Sequence, residues 1–326
     1  MTGVLAALFG AAAIATLTTG AVAVPPLEAL AVVARKAGLG ALGEPGRQAE
    51  AVVWGIRMPR LLTACTVGAG LAATGAVLQG MLRNEMADPQ LLGIGPGAGI
   101  GAVIGSAAGG VQGAIAGGIV SGVVTGFVVR RLGSRVTIDR TRLILSGVAL
   151  GAALSAWVGF LVFAADRSRV PPIEFWLLGS LSGSTWRSFG TAAVMIGAGA
   201  LVLLGTSRSL DLMSLGHSEA RHLGVDTDLV ATIVLIAVGI VVGATVGAVG
   251  VVAFVGLLVP YWIRRLVGPA HRRLMGVSAL GGAVLLVLSD LVARLTLEPV
   301  EIPVGLVTSA LGGPLFLWLI SRTRDV

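Results

Sequence analysis

Ionisable side chains are scarce in this chain, so the few that interrupt its apolar runs are the first candidates for chemistry. Asp290 and Arg294 stand four residues apart in one such run, a spacing that sets a carboxylate and a guanidinium on one helix face. A carrier driven by protons or sodium needs ionisable or coordinating groups near the membrane midplane, and Asp290 falls toward the outer end of its run. His217, His222 and His271 lie in polar connections, which argues against a ligand for a membrane-embedded metal or haem. Cys65 is the only cysteine, so one chain can form neither a disulfide nor a thiolate metal site, and it reads as a small core residue. Lys36 is the only lysine, and no GxxxxGK[ST] phosphate loop can be written. No catalytic or metal-binding set emerges; this chain does not hydrolyse nucleotide by itself.

The elements that hold these residues are set by hydropathy. With 55% hydrophobic and 12% charged residues and a mean hydropathy of +0.94, the composition is that of an all-α polytopic membrane protein. A span requires roughly 20 apolar residues, and ten can be drawn, at about 3–24, 58–80, 91–108, 113–130, 142–163, 188–207, 229–249, 251–267, 274–294 and 304–320. Together they form one transmembrane domain, 1–326. The first run has no basic residue before it and is read as a retained span rather than a cleaved signal. Ile173 to Trp186 is too short to cross, follows Pro171-Pro172, and reads as an interfacial or re-entrant helix with Trp176 and Trp186 at the headgroups. The net charge of +7 comes from arginines scattered through short connections, which excludes a nucleic-acid surface. With the even-numbered connections inside, 14 of the 23 basic residues lie on that side, so both termini are expected in the cytoplasm of a bacterial inner membrane. Among the exceptions, Arg35, Lys36, Arg47, Arg57 and Arg60 lie in or beside one outer loop, as a surface for an acidic partner would.

Glycines recur every fourth position, at Gly93, Gly97, Gly101 and Gly105, at Gly147, Gly151 and Gly159 with Ser155 between, and at Gly239, Gly243 and Gly247. Small residues at this period let helix backbones approach in lipid. The other local signal is Leu210 to Asp228, a polar island that reads as a compact amphipathic helix. Gly216 to Ser218 would break and cap it, Glu219 suits its first turn, Arg221 and His222 its last, and Gly224 its stop. Its apolar side serves either as a lid over the bundle or as a dock for a soluble partner.

The segment RMPRLLTACTVGAGLAATGAVLQGMLRNEMADPQLLGIGPGAG (57–99) resembles the signature of permeases of type II ATP-binding-cassette importers for iron–siderophores, haem and cobalamin. WLLGSL (176–181), LGHSEARHLGV (215–225), FVGLLVP (254–260) and SDLVARLTLEPVEIPVGLVTSALGGPLFLWLI (289–320) follow in family order. The resemblance implies ten spans, a second permease copy as a dimer partner, two separate ATPase subunits that use ATP and magnesium, and a periplasmic or lipoprotein substrate-binding protein. It places a coupling helix at about 212–224, with Leu215, Gly216, Glu219, Ala220, Arg221 and Gly224 contacting the ATPase. It gives Arg57, Arg60 and Arg294 the task of gripping carboxylates of the binding protein. The path would run along the dimer interface, with Gly147, Gly151, Ser155 and Gly312 as lining candidates. The sequence departs from the family pattern at Glu85-Met86, where Pro-Leu is usual, at Gly250-Val251-Val252, where Gly-Pro-Ile is usual, and at Tyr261, where histidine is typical.

The function expected on this basis is the membrane permease of an importer for an iron chelate, a ferric siderophore or haem, with cobalamin as the other cargo of the family. No cofactor is expected on this chain, whose surroundings are lipid and protein partners. An ion-coupled secondary carrier and a purely structural scaffold are the readings from other classes.

Overall fold

The structure, a computed structural model, describes residues 2–20, 22–39, 45–133, 140–164, 177–297 and 300–322. Among them the only regular elements are helices. In chain order these are α1 (Thr2–Thr18), α2 (Pro26–Lys36), α3 (Arg47–Leu82), α4 (Ile94–Leu132), α5 (Arg140–Ala164), α6 (Trp186–Gly205), α7 (Ser207–Leu215), α8 (His217–His222), α9 (Thr227–Val249), α10 (Val255–Val267), α11 (His271–Leu295) and α12 (Val304–Arg322). Helices α3, α4, α5, α6, α9 and α11 are long and apolar enough to cross a membrane; α1 and α12 are apolar but shorter.

Each of the ten expected spans coincides at least in part with one of these helices, but α1 ends at Thr18, short of the residue 24 expected for the first. The third and fourth are the two limbs of α4, which breaks at Gly109 (φ −152°, ψ 26°) and Gly110 (φ 56°, ψ −142°) and folds back on itself. A Cβ on Gly101 would lie 2.1 Å from the Gly117 carbonyl oxygen, and one on Gly105 would lie 2.0 Å from that of Gly113. The eighth span is shorter than expected. Gly250 leaves α9 at φ 78°, residues 250–254 run without helix, and Phe254 at φ 66° starts the 13-residue α10. Only 177–186 of the expected interfacial helix is described, and it is chiefly turns leading to Thr185, which caps α6 reciprocally with Ser188. Trp186 donates to the Trp54 carbonyl at 2.9 Å and packs on its ring.

Helix α3 is the axis of the bundle. Its turns from Ala51 to Arg57 widen to a π-helix just before Pro59, which lacks an N–H and would otherwise press its ring on the preceding turn. It closes in a Schellman arrangement. Arg83 is left-handed, its N–H returns to Gly80, and that of Asn84 returns to Gln79. Between these ends two glycines admit other backbones and a third admits a side-chain ring. A Cβ on Gly68 would stand 2.2 Å from the Gly282 oxygen in α11, one on Gly75 would stand 1.7 Å from the Gly256 oxygen in α10, and one on Gly80 would overlap the His271 ring.

The second close contact joins α4 to α9. Gly118 faces Gly243, Gly122 faces Gly239, and Gly247 faces Ile115, each closer than a side chain would permit. The stripes expected at 93–105 and 239–247 are therefore packing faces. Gly159 is the exception, with open space where its Cβ would be.

Gly75→Ala should cost about 3 kcal/mol, the upper end for overpacking, because backbone lies on both sides of the contact. Gly190→Ala on α6, which faces nothing within 4 Å, should stay within about 0.5 kcal/mol of wild type. Thermal unfolding in detergent checks the pair, and equal loss in both variants would contradict the packing assignment.

Candidate functional site

Two polar constructions stand at opposite ends of α3 and α11, which run antiparallel. At the first, the guanidinium groups named by the sequence converge. Arg60 holds Asp290 through Nε (3.0 Å) and Nη2 (2.8 Å) and holds Glu301 through Nη1 (2.8 Å). Arg294 Nε lies 3.3 Å from the other Asp290 oxygen, the i,i+4 pairing expected, though not aligned as a hydrogen bond. Arg57 donates to the carbonyls of Leu17, at 2.6 Å, and Val22, and Arg294 donates to that of Thr16 at 3.5 Å. These acceptors belong to the last turn of α1 and the bend after it, where helix carbonyls have no partner of their own.

This differs in one respect from the sequence expectation. Arg57, Arg60 and Arg294 do come together, but they are only 5%, 7% and 8% exposed, and their donors are directed inward. They are not free forks. The accessible group is Glu301, whose side chain is 43% exposed while it occupies one edge of Arg60. Sequence reasoning missed Glu301; its signal was a carboxylate in the short EPVEIP connection beside the DLVAR stretch.

At the other end, the expected amphipathic helix is two short ones, α7 and α8, broken at Gly216 (φ 144°). Gly216 itself precedes α8, and the Glu219 carboxylate turns back over it; Ser218 is not the cap. Leu210, Met213 and Ala220 are fully buried against the bundle, whereas Leu215, Glu219, Arg221, Leu223 and Gly224 face outward. One side is thus a lid and the other is open. Arg221 donates to Asp228 at 2.9 Å and to Thr227 at 3.0 Å, and Arg130 takes the second Asp228 oxygen at 2.7 Å, so α8 is tied to the start of α9 and the end of α4. Asp211 reaches His271, a contact the sequence did not disclose because sixty residues separate the two.

The lining candidates divide. Gly147 and Gly151 are buried against Leu92 and Gly93, and a Cβ on Gly312 would strike the Phe254 ring at 2.3 Å. Ser155 lies on the uncovered side of α5, with Trp157 and Phe160. Among the described residues no group of three or more His, Cys, Asp or Glu could hold a metal ion.

The sequence model of the FecCD transport family matches residues 7–322. The chain belongs to the FecCD transport family. It is 37% identical over 281 residues to the hemin transport system permease protein of Yersinia pestis, covering 84% of each chain. It is 40% identical over 281 residues to the cobalamin import system permease protein of Halobacterium salinarum, covering 85% of this chain and 75% of that one. A solved inward-facing structure of a metal-chelate type ABC transporter superposes with a TM-score of 0.83 at 31% identity, over 98% of this chain and 97% of the other. Both the family and the neighbours are importer permeases, and this chain is a multi-pass membrane permease of that kind.

Within the FecCD pattern, two of the departures noted above meet in space. Glu85 pairs with Arg265 at 3.4 Å, Arg265 lies 3.5 Å over the Tyr261 ring, and Met86 packs on Leu257, Leu258, Tyr261 and Leu319. The substitutions form one cluster that ties the α3–α4 connection to α10 and α12. Beside it, Asp88 is buried and accepts from the Gln90 N–H at 2.8 Å; burial pushes its carboxyl up to about 6.

Asp290 is 1% exposed and Arg60 supplies its aligned hydrogen bonds, so removing Arg60 leaves a buried carboxylate facing only the misaligned Arg294. Arg60→Leu or Asp290→Leu alone should each destabilise by about 3–5 kcal/mol, and the double variant by clearly less than the sum. Unfolding of the four proteins in detergent measures the coupling, and strict additivity would show that the pair contributes nothing.

Proposed function

We propose that this chain is the permease subunit of an ATP-driven importer that passes an iron chelate, a ferric siderophore or haem, from a binding protein into the cytoplasm. The family match over nearly the whole chain carries the reading, supported by a relative named for hemin and a neighbour described as a metal-chelate transporter. Cobalamin is the second reading, favoured by the 40% identity to a permease named for it.

In this reading the α7–α8 end faces the cytoplasm, as the arginine census suggests, and both termini lie there. Its open side, with Leu215, Glu219, Arg221 and Gly224 exposed around the buried Gly216 and Ala220, receives a separate ATPase subunit. Two such subunits supply the hydrolysis. The opposite end receives the binding protein. Its carboxylates would exchange with Glu301 at the edge of Arg60, an arrangement in which an already oriented guanidinium is offered one acceptor for another. Arg57 and Arg294 would support that surface from beneath by holding α1. A second copy of the chain would complete the path, the uncovered side of α5 with Ser155 forming part of its wall. Large apolar side chains at Trp157, Phe160 and Phe163 stand exposed there, as an unpartnered face requires.

The test is reconstitution in vesicles with the cognate ATPase and binding protein. Uptake of haem or a ferric siderophore is expected only when ATP and both partners are present, with cobalamin uptake at least tenfold lower. Uptake by the chain alone under an ion gradient would sink the importer reading in favour of a secondary carrier. Preferential cobalamin uptake would replace the cargo and leave the mechanism.

A further inference from the structure

We propose that Asp211 and His271 form the positioning contact that converts displacement of the α7–α8 segment into movement of α3 and α11. The inference rests on the importer reading above and assigns a task to residues that neither the family signature nor the ATPase-facing set includes.

The apolar residues that seat α7 and α8, Leu210, Met213 and Ala220, hold by contact alone and can slide. Directed bonds cannot. A single Asp211 oxygen accepts the backbone N–H of His271 at 2.9 Å and lies 2.7 Å from its ring Nδ1, so the carboxylate caps the first turn of α11 and fixes the imidazole at once. The ring is 1% exposed, and its Nε2 faces Gly80 of α3 with no hydrogen-bond partner among the described residues. Gly80 matters here because a Cβ would lie 1.8 Å from that nitrogen; only glycine leaves room for the ring. His271 is therefore a wedge at the meeting of three elements, gripped by α7 on one side and seated on α3 on the other.

The geometry gives the contact a direction. Asp211 stands one turn before Leu215 in α7, where a partner would push. His271 begins α11, whose far end carries Asp290 and Arg294. A pull on Asp211 acts along α11, and the ring presses the same displacement on α3, which carries Arg60. A further link from this segment, Arg221 to Asp228, leads instead to α9 and α4. Apolar packing of Leu210 and Met213 also joins α7 to the bundle, but the Asp211 bond is the directed contact that ties its displacement to the start of α11 and, through the ring, to α3.

The readout is the number of substrate molecules taken up per ATP hydrolysed, measured in vesicles holding the complete importer, because a merely structural defect lowers both rates and leaves their ratio. Asp211→Ala should lower the ratio about tenfold, the scale of one charge-assisted hydrogen bond. Asp211→Asn, which keeps an acceptor for both N–H groups, should retain it to within about twofold. Asp211→Ser, too short to reach the ring, replaces the alanine variant should that protein not assemble and is expected to fall with it. A wild-type ratio in Asp211→Ala or Asp211→Ser would overturn the inference, as would equal loss in Asp211→Asn. Absence of ATP-driven uptake with the wild-type chain would instead overturn the importer reading, and the two failures are told apart by that control.

Discussion

Close approach of helix backbones is the constraint on which this structure depends. In lipid an apolar side chain gains little by moving from an acyl chain to a neighbouring helix, so association must come from dense contact and from the few polar bonds that lipid cannot offer. The chain meets that demand with glycine at the crossings of α3 with α10 and α11 and of α4 with α9. Carbonyl groups face the positions where side chains would be, and no substitution there is neutral. At these crossings glycine is thus a packing device rather than a mark of flexibility.

Polar bonds then act where packing alone would leave freedom. At one end the carboxylates Asp290 and Glu301 and the α1 carbonyls share three guanidinium groups; at the other Asp211 and Asp228 fasten the α7–α8 segment to three different helices. Both constructions sit at helix ends, where unpaired backbone groups and dipole ends favour them. The break at Gly250 to Phe254 and the short α10 occupy the middle of the chain's tightest region. Non-helical backbone at such depth is tolerated because it is covered by protein: Gly179 and Gly305 lie against the Val251 carbonyl.

Much of this was legible in the sequence, for reasons that differ by element. Hydropathy located the spans, the first and eighth with bounds too long, because a helix that crosses lipid must be apolar along its length, and the two limbs of α4 were drawn as separate runs at 91–108 and 113–130. The fourfold glycine period disclosed packing faces but not their partners, since Gly75 carries no sign that it meets Gly256. Asp290 and Arg294 were legible as a pair because four residues separate them. Arg60 with Glu301 and Asp211 with His271 were not, because those contacts are set by how α3 lies on α11. The arginines at 57, 60 and 294 were found by resemblance, yet their inward direction is a property of the packed structure: each guanidinium meets a carboxylate or a helix end before it meets solvent. Likewise, Gly216 read as a boundary inside one helix, whereas its left-handed φ makes two.

If α3 and α11 transmit force between these ends, they must move as one body. A spin-label distance between Leu215 and Leu295, both exposed, reads this directly when labelled chains are diluted with unlabelled ones. The account predicts a single distance distribution that is unchanged when ATP binds the complete importer, because the Asp211 bond and the Gly68–Gly282 contact hold the two ends in register. A shifted or split distribution would show that the segment moves independently of α11 and would contradict the account.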